Sequence, residues 1–190
     1  LVIDEAHNAP GELSKFIEIS VSSRFCEQVL KLQIPNERDI NTQKKAFDWI
    51  NDVYYPKLVS MNNHIESMLE KYVGLKDKMQ QFAKLAQRFE ILDKYSCKVK
   101  RFIDVYSQEN WVYNPIQSDD RSISKIEFKP IDVSHFANEN LFSYGEKVLL
   151  MSATILDKEG FCEMMGIKRD EVSFLRLPSP FPPENKPIFF

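Results

Sequence analysis

Leu1-Val2-Ile3-Asp4-Glu5-Ala6-His7 opens the chain with three apolar residues followed by two adjacent acids. Consecutive apolar residues without alternation fit the end of a buried parallel strand, covered on both faces. Open α/β sheets hold their ligands at the carboxyl ends of such strands, so Asp4 and Glu5 stand where chemistry is expected. The same texture returns far downstream. Lys147-Val148-Leu149-Leu150-Met151 reads as a second buried strand, Ser152-Ala153-Thr154 follows it, and a helix is expected over residues 158–165. The chain therefore leaves an α/β layer and comes back to it.

What lies between has a different periodicity. Phe16, Ile19, Phe25, Val29 and Leu32 are roughly helix-spaced, with an interruption expected at Ser20, Ser22 and Ser23 and a break at Pro35-Asn36. From residue 39 to 72, Phe47, Ile50, Tyr54, Leu58, Met61, Ile65, Met68 and Tyr72 step by three and four, the stripe of one long helix that Pro56 should bend or interrupt. Gly74 ends it, and a second stripe runs from Leu75 through Phe82, Phe89, Val99 and Phe102 to Tyr106. Two long helices on a short turn make an antiparallel hairpin. Both stripes are read as plain core. Residues 111–116 and the alternation of residues 123–129 predict two strands around the polar turn 117–121. A short helical turn near residues 136–141 precedes the return strand, residues 172–175 predict a further strand, and Pro178, Pro180, Pro182 and Pro183 form a stiff connector.

The expected fold class is α+β: a mainly helical insertion of long antiparallel helices and a β-hairpin, flanked by pieces of an α/β domain. The expected segments are 1–11 with the acidic box, 12–132 as the insertion, 133–177 as the return, and 178–190 as a linker. Leu1 is not methionine and lies inside an apolar run, while Ile188-Phe189-Phe190 is another strand-like run. We expect a piece of a longer protein, with neither end natural.

Composition excludes more than it assigns. The formal charge of −3 over 190 residues gives no overall pull toward a polyanion, so any such binding needs a local basic face. Cys26, Cys97 and Cys162 lie far apart with no CxxC pair, which builds neither a zinc site nor a four-thiolate cluster. No run of about 18 apolar residues and no charged-then-apolar leader occurs, so a soluble cytoplasmic setting without membrane contact is expected.

Asp4-Glu5-Ala6-His7 behind an apolar strand has the form of a Walker B or DEAH box. There one carboxylate serves the Mg²⁺ shell on a nucleotide's phosphates and its neighbour acts on the attacking water. Ser152-Ala153-Thr154 behind Val148-Leu149-Leu150-Met151 resembles the S-A-T motif III of superfamily 2 helicases. Taken alone, each string fits a capping turn as well. Their order and strand-end setting make the chain similar to that superfamily. The long separation between the two motifs, filled by a helical and a β-hairpin, resembles the DinG and xeroderma pigmentosum D helicases, whose first motor domain carries an arch at this point. Leu177-Pro178-Ser179-Pro180-Phe181-Pro182-Pro183-Glu184-Asn185 is similar to their S-P-F stretch before the second motor domain, and Phe128-Lys129-Pro130-Ile131-Asp132 looks like their return from the arch.

That resemblance implies a RecA-like motor fragment of an ATP- and Mg²⁺-dependent 5′ to 3′ DNA helicase of repair or recombination. Asp4 would contact the Mg²⁺ shell through water, Glu5 would act on the hydrolytic water, and His7 with Ser152 and Thr154 would couple hydrolysis to movement on single-stranded or forked DNA. It implies nucleoid association if the source is prokaryotic. The iron–sulfur cysteines of many members lie upstream of the acidic box, so no cysteine of this chain is expected to ligate a cluster. No G-x-x-x-x-G-K-[ST] loop occurs in the sequence, and the fragment is expected to be monomeric and inactive alone.

On the second long helix Lys76, Lys78, Lys84, Arg88, Lys94, Lys98, Lys100 and Arg101 outnumber Asp77, Glu90 and Asp93. This face reads either as a phosphate-facing lining, with Lys94, Lys98 and Arg101 as contacts, or as a solvated polar surface. Trp111 and Tyr113 read as base-stacking residues or, in preference, as core. The rival to the motor reading is a non-catalytic helical module that docks a partner protein, with the acidic box degenerate.

Overall fold

The computed structural model describes residues 1–119, 122–155 and 157–178. It is α+β and divides into two compact units: Gly11–Asp132, and Leu1–Pro10 with the described residues from Val133 on.

The larger unit is built around a sheet that the sequence presents only in part. Helix α1 (Ala9–Ile17) ends, and Ile19–Ser22 forms β2 where only a break in a helix was expected; β1 is Val2–Ile3. Ile19 and Val21 point inward and are fully buried, whereas Ser20 and Ser22 face out, a period of two that overrides helical spacing. Ser22 also accepts the Phe25 N–H, capping the short α2 (Ser23–Phe25), which continues as a π-turn over Cys26–Leu30. β2 pairs antiparallel with β4 (Ile123–Pro130), Ile19 opposite Phe128, and β4 pairs with β3 (Trp111–Gln117), giving the order β2-β4-β3. The expected β-hairpin is thus two thirds of a three-stranded sheet.

The first long helix begins at α3 (Gln43–Trp49), where Thr42 accepts the Lys45 N–H, and continues through α4 (Tyr55–Tyr72). Pro56 does not break it. A five-residue π-turn, Ile50–Tyr54, precedes the proline, which occupies the first turn of α4 where its missing donor is tolerated. Gly74, at φ 79°, then turns the chain, a backbone region that glycine enters without the Cβ penalty. After a 3₁₀ turn, α5 (Met79–Val105) runs back against α4.

These helices cover one face of the sheet. Phe102 is the hub: its ring lies 4.8 Å from that of Trp111, 5.0 Å from Phe128 and 5.8 Å from Phe47. Trp111 is buried in the core, and Tyr113, half-buried, packs at its edge, its ring 5.4 Å from that of Phe128 and its hydroxyl donating to the Ile40 carbonyl at 2.9 Å. Tyr95 on α5 donates to the Ser20 carbonyl at 2.7 Å and receives the Tyr54 hydroxyl at 3.3 Å, tying β2 to both long helices. Burial pushes the Tyr95 hydroxyl up to about 12, so it stays a donor at any ordinary pH.

In the smaller unit β1 pairs in parallel with β5 (Leu149–Leu150), Val2 opposite Leu149 and Ile3 opposite Leu150. The expected burial of these strands is not observed. Val2 and Leu149 are more than half exposed, because among the described residues the sheet has two strands and nothing over that face. The core of this unit lies elsewhere, on Phe136 and Ala137 of α6 (Ser134–Asn140) and Phe161, Cys162 and Met165 at α7 (Lys158–Met164). Gly166, at φ 61°, passes so close to α6 that a Cβ would meet the Ser134 carbonyl oxygen at 2.4 Å. Residues 172–175 form no strand: Val172 is extended and its carbonyl accepts from Lys158 Nζ at 3.1 Å, and Leu175 is exposed. The Ser179-to-Asn185 part of the connector and the run at 188–190 lie outside the described residues. No helix among the described residues is long and apolar enough to cross a membrane.

Two stability effects follow. Phe102→Ala is expected to cost about 3–5 kcal/mol in urea denaturation, the range for emptying a packed aromatic site. On the opposite face of the sheet, Glu127 is nearly buried among Lys125 Nζ (2.6 Å), Lys129 Nζ and Asn114 Nδ2 (both 3.3 Å). Its hydrogen bonds, that from Lys125 foremost, hold its carboxyl below the usual glutamate value. A lowered folded-state value means stabilisation complete above the ordinary glutamate range and lost as pH falls through the lowered value. Glu127→Gln should therefore be less stable than the natural chain at neutral pH, with the gap closing in acid.

Candidate functional site

The parallel pairing of β1 and β5 brings two strand ends side by side. Met151 N–H donates to the Ile3 carbonyl and Ala6 N–H to the Met151 carbonyl, both at 2.9 Å, so the ladder continues past the assigned strands. Asp4 and Glu5 leave β1 at its carboxyl end, and Ser152 leaves β5 at the same end.

Glu5 takes a left-handed conformation, φ 49° and ψ 41°. Few residues other than glycine do so, and such sites concentrate where geometry is put to use. The Glu5 N–H closes onto its neighbour's Asp4 Oδ1 at 2.8 Å, and the Asn8 N–H onto the Glu5 carbonyl at 2.9 Å. The chain thereby turns from strand into the 3₁₀ turn Ala6–Asn8 within two residues, leaving both carboxylates exposed while Ala6 is buried.

His7 is the junction. Its Nδ1 lies 2.8 Å from Ser152 Oγ and 3.2 Å from Glu5 Oε2. Ser152 Oγ accepts the Thr154 N–H at 3.1 Å and sits 3.3 Å from Thr154 Oγ1. A chain of polar contacts therefore runs Glu5, His7, Ser152, Thr154, across residues 145 apart in sequence at its middle step. A carboxylate can only accept from the imidazole. Its presence favours a proton on Nδ1, and Ser152 then receives the same N–H and turns its own proton toward Thr154. All five residues expected from the two motifs are gathered here, Asp4 through its bond to the Glu5 backbone.

The three expected cationic contacts lie in the other unit, on α5, and differ from one another. Lys94 is exposed and paired with Glu90 at 2.6 Å. Lys100 is likewise paired with Asp104, so part of the basic surplus is neutralised within its own helix. Arg101 is exposed and lines a groove of about 590 Å³ between α4 and α5, together with Tyr55, Asn62, Ser96 and Asp93. Lys98 is half-buried, with its ammonium 5.9 Å from the centre of the Phe16 ring. Burial lowers its amine and Glu18 partly offsets this. Phe16, read only as one of a helix-spaced series with Ile19 and Phe25, is 60% exposed, and sequence reasoning gave it no role. The signal was available: Leu13 and Ile17 already supply the apolar face of α1.

Among the described residues no group of three or more acids, histidines and cysteines is arranged to hold a metal ion. No family model matches this chain, and no curated protein matches it.

The hydrogen-bond chain has a direct readout. The ¹⁵N shifts of His7 should show the proton on Nδ1, and Glu5→Ala should shift the ring toward the Nε2–H tautomer as Ser152 becomes the donor. Unchanged shifts in the variant would mean that Glu5 does not set the tautomer.

Proposed function

We propose that this chain is the part of an ATP-dependent DNA helicase that carries the water-activating carboxylate, resembling the DinG and xeroderma pigmentosum D branch of superfamily 2. The observation that supports the reading best is the contact of His7 Nδ1 with Ser152 Oγ. It links the two motifs across the whole insertion. A chance pair of short strings has no reason to meet at adjacent strand ends.

In this reading the smaller unit is a piece of a RecA-like motor domain and the α4–α5 hairpin with its sheet is the arch. Bound ATP and Mg²⁺ would supply the phosphoryl group and neutralise its charge. The residues fit that use. Asp4 offers a strand-end carboxylate suited to a water-mediated contact with the ion. Glu5, exposed beside it, orients and deprotonates the attacking water. His7 holds the Glu5 carboxylate in place, and Ser152 and Thr154 carry its position to the segment after β5. Lys94, Lys98 and Arg101 face single-stranded or forked DNA. The 5′ to 3′ direction, a role in repair or recombination and, for a prokaryotic source, nucleoid association rest on the resemblance alone. With no phosphate-cradling loop in the sequence, the 190 residues bind no triphosphate productively by themselves.

A second reading, a protein-docking module, draws support from the hairpin tip, where Val73, Leu75 and Met79 are exposed together. ATPase assays separate the two. The full-length parent should show turnover stimulated by single-stranded DNA, Glu5→Gln should lower it by about a hundredfold or more, and the 190-residue chain should be silent. A folded, inactive parent would overturn the motor reading in favour of the docking module.

A further inference from the structure

Phe16 is the anomaly of α1. The helix already turns Ala9, Leu13 and Ile17 inward, and Phe16 projects away from them with 60% of its surface exposed. Yet the ring is not isolated. Lys98 reaches it from α5, a separate element of the same unit, and lies within the range at which an ammonium is held by an aromatic face. Lys98 has no ion-pair partner among the described residues, unlike Lys94, and burial weakens its hold on its proton. One face of the ring is thus set against a poorly hydrated cation, and the other is open.

An aromatic face beside a cation that has no direct ion pair among the described residues, Glu18 acting on it only at longer range, is the minimal element of single-strand recognition. Every base has a π-face to stack, and the charge attends to the backbone phosphate. We propose that Phe16 and Lys98 form a stacking site for one unpaired nucleobase of single-stranded DNA, Phe16 taking the base and Lys98 the flanking phosphate. This rests on the DNA-binding reading above and assigns it a first base contact. It also gives Lys98 a different task from Lys94 and Arg101, which would meet phosphate alone. Recognition at such a site is indifferent to sequence, because stacking reads no hydrogen-bonding edge.

The test compares two fluorescein-labelled strands of equal charge, an oligothymidylate of about a dozen nucleotides and its abasic counterpart, by anisotropy at low salt. Phe16→Ala should weaken binding of the oligothymidylate about tenfold and change the abasic strand less than about twofold, while Phe16→Trp restores binding. Lys98→Ala should weaken both strands. Equal loss on both strands in Phe16→Ala would mean that the ring only positions Lys98, and no loss on either would mean that it serves neither; each overturns the stacking site. Failure of the unaltered chain to bind either strand would overturn the DNA-binding reading and this inference with it. Circular dichroism of each variant guards against unfolding, which an exposed position should not cause.

Discussion

Two parallel strands cannot be joined by a tight turn, and that constraint organises this chain. β1 and β5 are neighbours whose residues are hydrogen-bonded at Leu1, Ile3, Leu149 and Met151, yet the whole insertion lies between them. The insertion meets the requirement in its own way. Its departing strand, β2, and its returning strand, β4, are themselves antiparallel neighbours, with Ile19 opposite Phe128 and Ser22 opposite Lys125. Everything from α2 to β3 is hung on that pair, and the aromatic cluster around Phe102 seals the helices onto it.

The same parallel pairing governs the candidate site. Glu5 and Ser152 have no common helix or loop; they are joined through His7 because each lies two residues past the end of a paired strand. The left-handed turn at Glu5 is what lets His7 face back toward Ser152, and it is held by the Ala6 and Asn8 backbone bonds and by the Asp4 carboxylate, which accepts the Glu5 N–H. The geometry thus depends largely on main-chain hydrogen bonds, while the acids and hydroxyls remain exposed.

Much of the fold was legible because long amphipathic stripes and a left-handed glycine leave clear marks. The hairpin of α4 and α5, the turn at Gly74 and the strands around residues 117–121 follow from periodicity. Three features did not. β2 was hidden because a four-residue strand holds only two inward positions, Ile19 and Val21, and Ile19 also falls three residues after Phe16, in step with a helical series. The π-turn before Pro56 was not anticipated because a one-residue change of hydrogen-bond register leaves the apolar stripe continuous. The exposure of Phe16 was not anticipated because spacing counts apolar residues without asking whether a face is already filled. For the site, the strings around Asp4 and Ser152 gave the residues, but their meeting at His7 depends on which strands pair, which no local pattern specifies.

Because β2 and β4 are direct neighbours, the distance between the points where the insertion leaves and rejoins is fixed by sheet spacing, whatever lies beyond. α4 and α5 can then lengthen or shorten in step. A full turn added to each would carry the tip about 5.4 Å farther out and leave the base of the insertion unmoved. The architecture separates reach from anchorage: the hairpin's length is a variable that selection can change without renegotiating the sheet that holds it.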